Sequence, residues 1–509
     1  MPWTDTPAPS ATLAPTASPT PPPYRLWSDA RLPTGFQQAI RWPASFGPAN
    51  SPETATHQIT ISTQNPASYW VYALAGPFHT IRDGITAQAL HDFWYGRSNE
   101  QFEADQLWMT PETLALLSAW WGTPTQAGIQ TNNAEQLLEQ AWGTPRTWAI
   151  LPFEQLEPRW KVLAIDGLSP LDQAFEPRDY ELAIPFSLLG DPQPELGLPA
   201  SNRNDDQVTH LVMTGVTALV RATAFTMERQ GLTYPATDIG AYLQAADITH
   251  ISNEVPFADD CPYPNPTQEG MRFCSSPAYI ELLEAVGTDV VELTGDHFAD
   301  WGSAAMLFTL QQYTDRGWLF YGGGENLESA RQAALITDHG NPIAFIGCNA
   351  KGGGFAQASS SNPGAVACDF EWLEAEIQEL SQQGYLVIGT FQHFEYYTYA
   401  AQPNQVRDAA RLIEAGATLV SGSQAHQPQA FEFVNGRLVH HGLGNLFFDQ
   451  LDLSEPARQA FIDEHIFYQG RHISTRLVTI YFVDYARPRI MTPAERDSLL
   501  QAVFAASGW

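Results

Sequence analysis

Two short stretches, ADITHISNE at Ala246–Glu254 and TDVVELTG at Thr288–Gly295, decide the fold, because each reads as a buried strand that runs into polar residues. Five further runs of this kind lie along the same part of the chain: Thr209–Gly215, Asn341–Asn349, Tyr385–His393, Ala417–Ser423 and Arg437–Asn445. Helical patterns separate them, at 277–287, 303–317, 326–336, 370–384 and 405–416. Strands that alternate with helices predict an α/β domain with a largely parallel sheet covered on both faces.

The residues that directly follow the predicted strands are polar, and many of them can bind metal. Ligands of open α/β sheets bind beyond the carboxyl ends of the strands, so we expect these residues to meet in one site. They are Asn253, Glu254, Asp296, His297, Asp300, His393, Glu395, Gln424, His426 and Asn445. Imidazole and carboxylate together suit Zn, Mn or Fe. The pattern predicts a functional site at this edge and leaves open whether the site holds a metal.

Six stretches keep the order and spacing of one known family: ISNEVPF (Ile251–Phe257), VELTGDHFADWG (Val291–Gly302), YGGGENLESA (Tyr321–Ala330), GTFQHFEYY (Gly389–Tyr397), SGSQAHQPQAFE (Ser421–Glu432) and HGLGNLFFDQ (His441–Gln450). They resemble the CapA family of bacterial capsule or poly-γ-glutamate synthesis proteins. The domain of that family is similar to calcineurin-type metallophosphoesterases. The resemblance implies a layered α/β/β/α domain that handles an anionic surface polymer, with a membrane-bound polymer synthase as partner.

The resemblance also implies roles for individual residues. The residues that match metal ligands of the family are Glu254, Asp296, His393 and His426. A divalent Mn, Zn or Fe ion there would polarise a phosphoryl or acyl oxygen. His297, in a pattern with Asp300, matches the group that protonates the leaving oxygen, and Arg221 matches an arginine that could hold an anionic group. An ordinary ion pair is the alternative for Arg221. Asn253, Glu395, Gln424 and Asn445 are expected to complete the pocket.

Three positions depart from the family pattern. Val216 stands where the family has a metal-binding Asp, Gln424 replaces a His, and Asp296 replaces an Asn. These departures leave three interpretations open. One is a metal-dependent hydrolase with a mononuclear site that acts on a small phosphorylated or acyl substrate. Another is a non-catalytic cell-surface binding protein with a degenerate metal site. The third is a general phosphoesterase unrelated to capsule.

The chain is too long for one ordinary core, and its composition changes along its length. Residues 1–23 read as a Pro/Thr/Ala-rich linker. Residues 24–198 resemble a lobe of periplasmic solute-binding proteins, in Val71–Gly96 and Trp148–Leu171. A Pro/Asn/Asp-rich connector precedes the CapA-like domain at 208–455, and we expect residues 456–509 to pack on that domain, with His465 and His472 as packing residues. The fold class predicted is α/β with two domains.

The formal net charge of -31 disfavours nucleic acid as a partner. The four cysteines form two sequence pairs around loops, Cys261 with Cys274 and Cys348 with Cys368, which could be disulfides or buried thiols. No apolar run is long enough to cross a bilayer. We therefore expect an extracytoplasmic protein, at the cell surface or tethered to a membrane, whose signal or anchor is not in this sequence.

Overall fold

The computed structural model describes residues 24–191 and 196–509. The segment predicted as a linker, 1–23, lies outside the described residues, and so do residues 192–195 of the predicted connector. Within the described ranges, none of the helices has the length and apolar character that crossing a membrane requires.

The first part of the chain builds one mixed sheet in the order β2-β1-β3-β10-β4-β8-β6-β7, with β5 and β9 attached beside β4. Its strands are β1 (Tyr24–Ser28), β2 (Phe46–Pro48), β3 (His57–Ile61), β4 (Ser68–Pro77), β5 (Gly84–Ile85), β6 (Gln106–Met109), β7 (Ile129–Thr131), β8 (Thr147–Pro152), β9 (Trp160–Ile165) and β10 (Ala183–Leu189). Nearly every residue of β4 and β8 is buried, as expected for central strands that are covered on both faces.

Four helices accompany this sheet: α1 (Thr34–Ala39), α2 (Ala87–Trp94), α3 (Pro111–Trp121) and α4 (Ala134–Gly143). The last three begin where a capping side chain is available. Thr86, Thr110 and Asn133 each accept a hydrogen bond from the backbone N–H three residues further on. Such caps satisfy N–H groups that have no partner within the helix.

The second part of the chain contains sixteen strands and eight helices among the described residues. The strands are β11 (Val208–Thr217), β12 (Ile248–Asn253), β13 (Val290–Glu292), β14 (Leu319–Tyr321), β15 (Gly323–Gly324), β16 (Ala334–Asp338), β17 (Asn341–Asn349), β18 (Gly364–Ala365), β19 (Leu386–Gln392), β20 (Leu419–Ser421), β21 (Phe431–Val434), β22 (Arg437–His440), β23 (Asn445–Phe447), β24 (Gln459–Tyr468), β25 (Arg471–Phe482) and β26 (Pro488–Ile490). The helices are α5 (Arg221–Gln230), α6 (Gly240–Gln244), α7 (Ile280–Ala285), α8 (Ser303–Asp315), α9 (Leu327–Ala330), α10 (Phe370–Gln382), α11 (Pro403–Ala415) and α12 (Pro493–Ala506).

These strands form two main sheets rather than one. The first has the order β14-β13-β12-β11-β24-β25-β26, with β23 paired to β11, and the second has the order β16-β17-β19-β20-β22-β21. A shared core lies between them, where Met213 and Val290 of the first sheet belong to the same apolar cluster as Phe345 and Ile388 of the second. Separate clusters join the outer faces to helices, with α5, α7 and α8 on the first sheet and α10 and α11 on the second. The layered α/β/β/α prediction is thereby confirmed.

Two predicted elements are wrong in detail. The helix predicted at 326–336 ends as α9 at Ala330, and Ala334–Asp338 becomes the edge strand β16, antiparallel to β17. The single strand predicted at Arg437–Asn445 is split into β22 and β23, which belong to different sheets. Gly444 allows the chain to cross between the sheets, because its φ of +88° lies in the left-handed region that glycine adopts readily.

The C-terminal segment joins the two parts of the chain. Strand β24 pairs antiparallel with β11 along Val208–Thr214, so it continues the first of the two facing sheets. Helix α12 packs with Phe78, which follows β4, in an aromatic cluster that includes Phe504 and Trp509. His465 and His472 are buried and bond to Thr475, consistent with a packing role.

Both cysteine pairs are disulfides, Cys261–Cys274 and Cys348–Cys368, and this confirms the predicted pairing. The alternative of buried free thiols is wrong. The second bridge links the end of β17 to the residues just before α10, so it closes the glycine-rich loop between them.

Candidate functional site

The carboxyl ends of strands from both facing sheets open into one pocket of about 570 Å³. Seven of the predicted site residues line it: Arg221, Glu254, Asp296, His297, Asp300, Glu395 and His426. Lys351 and the aromatic side chains of Phe273, Phe355, Tyr397 and Phe448 also line it, and the sequence analysis did not predict them. The strand-end rule therefore brought most of the candidates together.

Three of the predicted residues lie closest to one another. Glu254, Asp296 and His297 each offer one ligand atom, and these atoms lie within 4.8 Å of one another. Gly295 permits this approach, since a Cβ atom there would lie 2.9 Å from the Cα of Glu254. A larger residue at position 295 would push the loop after β13 away from the end of β12.

His297 is held by the carboxylate of Asp300. The distance from Nδ1 of His297 to Oδ2 of Asp300 is 2.7 Å, and the same oxygen accepts the backbone N–H of Phe273. Burial by itself lowers the pKa of His297, but the bond to Asp300 and the nearby Glu254 and Asp296 outweigh it and raise this pKa to about 9. The imidazole ring is therefore a cation at neutral pH. Its Nδ1 bonds to Asp300, and its Nε2 takes no part in that bond.

Lys351 forms the most buried ion pairs of the pocket. Its Nζ lies 2.5 Å from Oδ2 of Asp296 and 2.7 Å from Oε1 of Glu395, and its side chain is only 5% exposed. Burial by itself lowers the pKa of Lys351, but the hydrogen bonds to these two carboxylates raise it above its ordinary value. The ammonium group is a permanent charge inside the pocket.

Asn349, at the end of β17, fixes this lysine. Its Oδ1 accepts the backbone N–H of Lys351 at 2.9 Å, and its Nδ2 donates to the carbonyl of Thr294 and to Oε1 of Gln392. Asn349 is fully buried and follows Cys348, so the disulfide holds the same turn. The strand end, the amide and the disulfide together determine where the ammonium group lies.

Gln392, the last residue of β19, and His393, the residue after it, contact different groups. Gln392 Nε2 donates to Oδ1 of Asp296 at 2.6 Å and lies 3.5 Å from Oε1 of Glu254. His393, which follows the last residue of β19, points away from these carboxylates, with its ring 3.9 Å from Oδ2 of Asp408 and 3.4 Å from Nδ2 of Asn404. Burial lowers the pKa of His393 to about 4. His393 is thus separate from Glu254 and Asp296, which were predicted to share a metal ion with it.

The remaining candidates also divide into residues that line the pocket and residues that do not. His426 lines the pocket, and its Nδ1 lies 2.9 Å from Oδ1 of Asn445, which orients the ring. Gln424 turns to Ser252, at 2.5 Å, and Asn253 donates to Tyr313 of α8 and to a backbone carbonyl. Neither Gln424 nor Asn253 is among the described residues that line the pocket.

Arg221 begins helix α5 at the opposite wall of the pocket. Its Nη2 donates to Oδ1 of Asp449 at 2.6 Å, and its guanidinium lies over the rings of Phe273 and Phe448. Asp449 also accepts the backbone N–H of Ala222. The ion pair considered for Arg221 is present, and its φ of +44° places a strained backbone at the pocket.

The carboxyl groups respond differently to this environment. Burial raises the pKa of Glu254 to about 8, assisted by the nearby Asp296 and Glu395. Burial also acts to raise the pKa of Asp296, but His297 and Lys351 outweigh it and hold this pKa below its ordinary value. The stable charges of the cluster are therefore the Asp296 carboxylate and the cations around it.

The donor set does not fit a divalent metal ion. A Zn, Mn or Fe site needs several side-chain lone pairs that converge on one point. Both oxygens of Asp296 instead accept N–H bonds, from Lys351 and Gln392. Val216, at the strand end where the family resemblance expects a ligand, is buried and apolar. A metal beside Asp296 would also lie against the ammonium of Lys351, which it would repel.

These features define the class of protein: a layered α/β domain with a charged pocket at the carboxyl ends of its strands. Residues 204–450 match the family described as "Bacterial capsule synthesis protein PGA_cap". This domain of the chain belongs to that family, which confirms the CapA resemblance.

Curated relatives agree with the family. The chain is 21% identical over 257 residues to the capsule biosynthesis protein CapA of Bacillus anthracis, covering 50% of this chain and 62% of the relative. It is 25% identical over 224 residues to the PGA biosynthesis protein CapA of Bacillus subtilis, covering 44% of this chain and 57% of the relative. The chain therefore spans about three fifths of the length of these relatives.

Two solved structures are similar at lower identity. A 5′-nucleotidase precursor from Thermus thermophilus is 13% identical, with a TM-score of 0.35, over 59% of this chain and 58% of that one. An ABC-type phosphate transport receptor from Vibrio cholerae is 11% identical, with a TM-score of 0.24, over 28% of this chain and 70% of that one. The similarity of residues 24–198 to a solute-binding lobe stays a prediction.

Proposed function

We propose that this protein takes part in the synthesis or handling of an anionic glutamate polymer outside the cytoplasm, and that the pocket binds acceptor groups of that polymer. The names of the relatives motivate the polymer, since they include a capsule biosynthesis protein and a PGA biosynthesis protein. The two disulfides support a location outside the cytoplasm, because such bridges persist in oxidising compartments.

One observation carries the proposal: three cations, Arg221, His297 and Lys351, line one pocket of a chain whose net charge is -31. The carboxylates beside them already form ion pairs within the protein. Each cation has more N–H groups than these pairs use. The pocket therefore presents spare donors, which suit the carboxylate and amide oxygens of a polyglutamate chain.

Titration of the full chain with poly-γ-glutamate of defined length, by calorimetry, tests this function. We expect saturable binding that weakens with salt, and a loss of at least about tenfold in affinity in Lys351→Met. Lys161→Met is the matched control, because Lys161 is also buried and paired, with Asp83, but lines a different cavity. Equal binding of a neutral polymer, or equal losses in the two variants, would contradict the proposal.

Hydrolysis is a second candidate, favoured by the His297–Asp300 pair in the pocket. A positioned imidazole can transfer a proton to a leaving oxygen. Its test is release of glutamate oligomers, or of nitrophenol from a nitrophenyl phosphate, by the wild-type protein and by His297→Gln. Turnover that survives unchanged in His297→Gln, with the fold intact, would remove this pair from any reaction.

A further inference from the structure

We infer that the ammonium group of Lys351 takes the place of the divalent metal that the family resemblance implies, so that the pocket works without a metal ion. The inference deepens the proposed function, and its consequence for polymer binding rests on that function. Its test with metal ions alone does not.

The first step is the rarity and placement of this lysine. The sequence has only two lysines, Lys161 and Lys351, although it has 25 basic residues in all. Lysines are normally solvated at the surface. Here one of the two is nearly buried in the pocket, between Asp296 and Glu395. Surface solubility does not explain such a position.

The second step is that the neighbouring side chains are matched to an ammonium group. Asp296 supplies one oxygen to Lys351 and the other to the amide of Gln392, so donors occupy both. Glu395 supplies a second acceptor to the lysine. An ammonium group has three N–H donors, and the third remains for a ligand.

The third step is that several ligands of the implied metal site are absent from this chain at the same time. Val216, the penultimate residue of β11, carries no ligand atom; Gln392 rather than a histidine bonds to Asp296 at the end of β19; and Gln424 bonds to Ser252. Each change alone would weaken a metal site. Together with the ammonium group of Lys351, these three changes keep a positive charge in the pocket and remove the need for a metal ion.

The fourth step is that the loop is constructed to hold the lysine. Asn349 bonds the backbone of Lys351 and of Gly352, and the Cys348–Cys368 bridge begins one residue before Asn349. The rings of Phe355 and Phe394 flank the ammonium at 4.9 and 5.6 Å from their centroids. Aromatic faces attract a cation and limit its access to water.

The experiment titrates Mn²⁺ and Zn²⁺ separately into the wild-type chain, Lys351→Ala and Lys351→Arg, with Lys161→Ala as control. Removal of the ammonium frees Asp296 and Glu395, so we expect Lys351→Ala to bind one equivalent at least about tenfold more tightly than the wild type. Lys351→Arg and the control should bind as weakly as the wild type. Stoichiometric metal in the wild type, or no gain in Lys351→Ala, would overturn the inference.

A second measurement does not depend on the variants retaining their fold. Isotope-labelled lysine gives two side-chain NMR signals in the wild type, one for each lysine. We expect Mn²⁺ to broaden both signals equally and only by non-specific contact. Selective loss of the Lys351 signal at low Mn²⁺ would place the ion in the pocket and overturn the inference. Absence of polymer binding by the wild type would instead contradict the proposed function and leave the metal result standing.

Discussion

Replacement of Glu464 by glutamine should destabilise the fold strongly at neutral pH. Glu464, on β24, accepts hydrogen bonds from Tyr242 at 2.7 Å and pairs with Nδ1 of His210 at 2.6 Å. Arg476 lies 3.5 Å from it and also pairs with Asp172 of the N-terminal part of the chain. This network, buried at Glu464 and His210 and partly exposed at Arg476 and Asp172, connects the two parts of the protein.

Burial by itself raises the pKa of Glu464, but His210, Arg476 and Tyr242 outweigh it and lower the pKa to about 2. A carboxyl group whose folded pKa is depressed stabilises the fold above its unfolded pKa, and that stability is lost as the pH falls towards the folded value. The shift from the ordinary value corresponds to about 3 kcal/mol. We therefore expect Glu464→Gln to lose about this much at neutral pH, and the gap to the wild type to narrow below about pH 4.5.

Urea unfolding midpoints of both proteins between neutral pH and about pH 3 measure this gap. Glu414→Gln, at an exposed position of α11, is the control and should change the midpoint little at any pH. The reasoning is refuted if Glu464→Gln matches the control, or if its gap to the wild type stays constant as the pH falls.

Three further outcomes are expected. Replacement of Cys348 and Cys368 by serine should cost about 3 kcal/mol of stability and also weaken polymer binding, because the bridge holds the turn of Lys351; thermal unfolding and calorimetry measure the two effects, and unchanged binding would argue against that link. Asn349→Ala should cost about 1–3 kcal/mol in urea unfolding and weaken polymer binding, because it releases the turn of Lys351; unchanged binding would argue against that link. Phe504→Ala should cost about 3–5 kcal/mol in thermal unfolding by emptying the aromatic cluster of α12; a loss below about 1 kcal/mol would show that the cluster collapses around the gap.

The sequence predicted the class of fold well because the signal was local. Buried strands and the helices between them can be recognised from apolar runs and from glycines that end helices. The division into two sheets could not be read from the residues alone. A strand such as β19 is apolar on both faces whether its second face meets a helix or another sheet. Only the family resemblance indicated the facing sheets.

The predicted strand at 437–445, which the structure divides into β22 and β23, shows the same limit of sequence-based prediction. VHHGLG reads as one buried run, but the chain leaves β22 after His440 and enters β23 at Asn445. The two glycines in the run gave the available signal, since isolated glycines in a strand pattern indicate a bend or a close backbone approach. A Cβ atom at Gly442 would lie 2.7 Å from that of Ala425, so the close approach is real.

Most of the residues that line the pocket were predicted from their position after strands, and the differences concern His393 and Lys351. Gln392 and His393 are adjacent, and the histidine looked like the ligand because of its chemistry. The direction of a side chain just after a strand depends on where the strand ends and on the path of the loop, which a single sequence does not specify. Lys351 was not predicted, because a lysine is not a metal ligand of the expected type; its rarity in the sequence is the signal that points to it.

A tethered cation and a diffusible one have different consequences for the binding of an anionic ligand. Occupancy of a metal site depends on the free metal concentration, whereas Lys351 supplies its charge at a fixed place under all conditions. Asn349 and the disulfide have already restricted the lysine backbone, so little conformational entropy remains to be lost when a ligand binds. The ammonium carries one charge rather than two, and Arg221 and His297 add theirs from other walls of the pocket. Binding that depends on this arrangement should therefore be insensitive to chelators and sensitive to salt, which is the opposite of what a metal-bridged polymer would show.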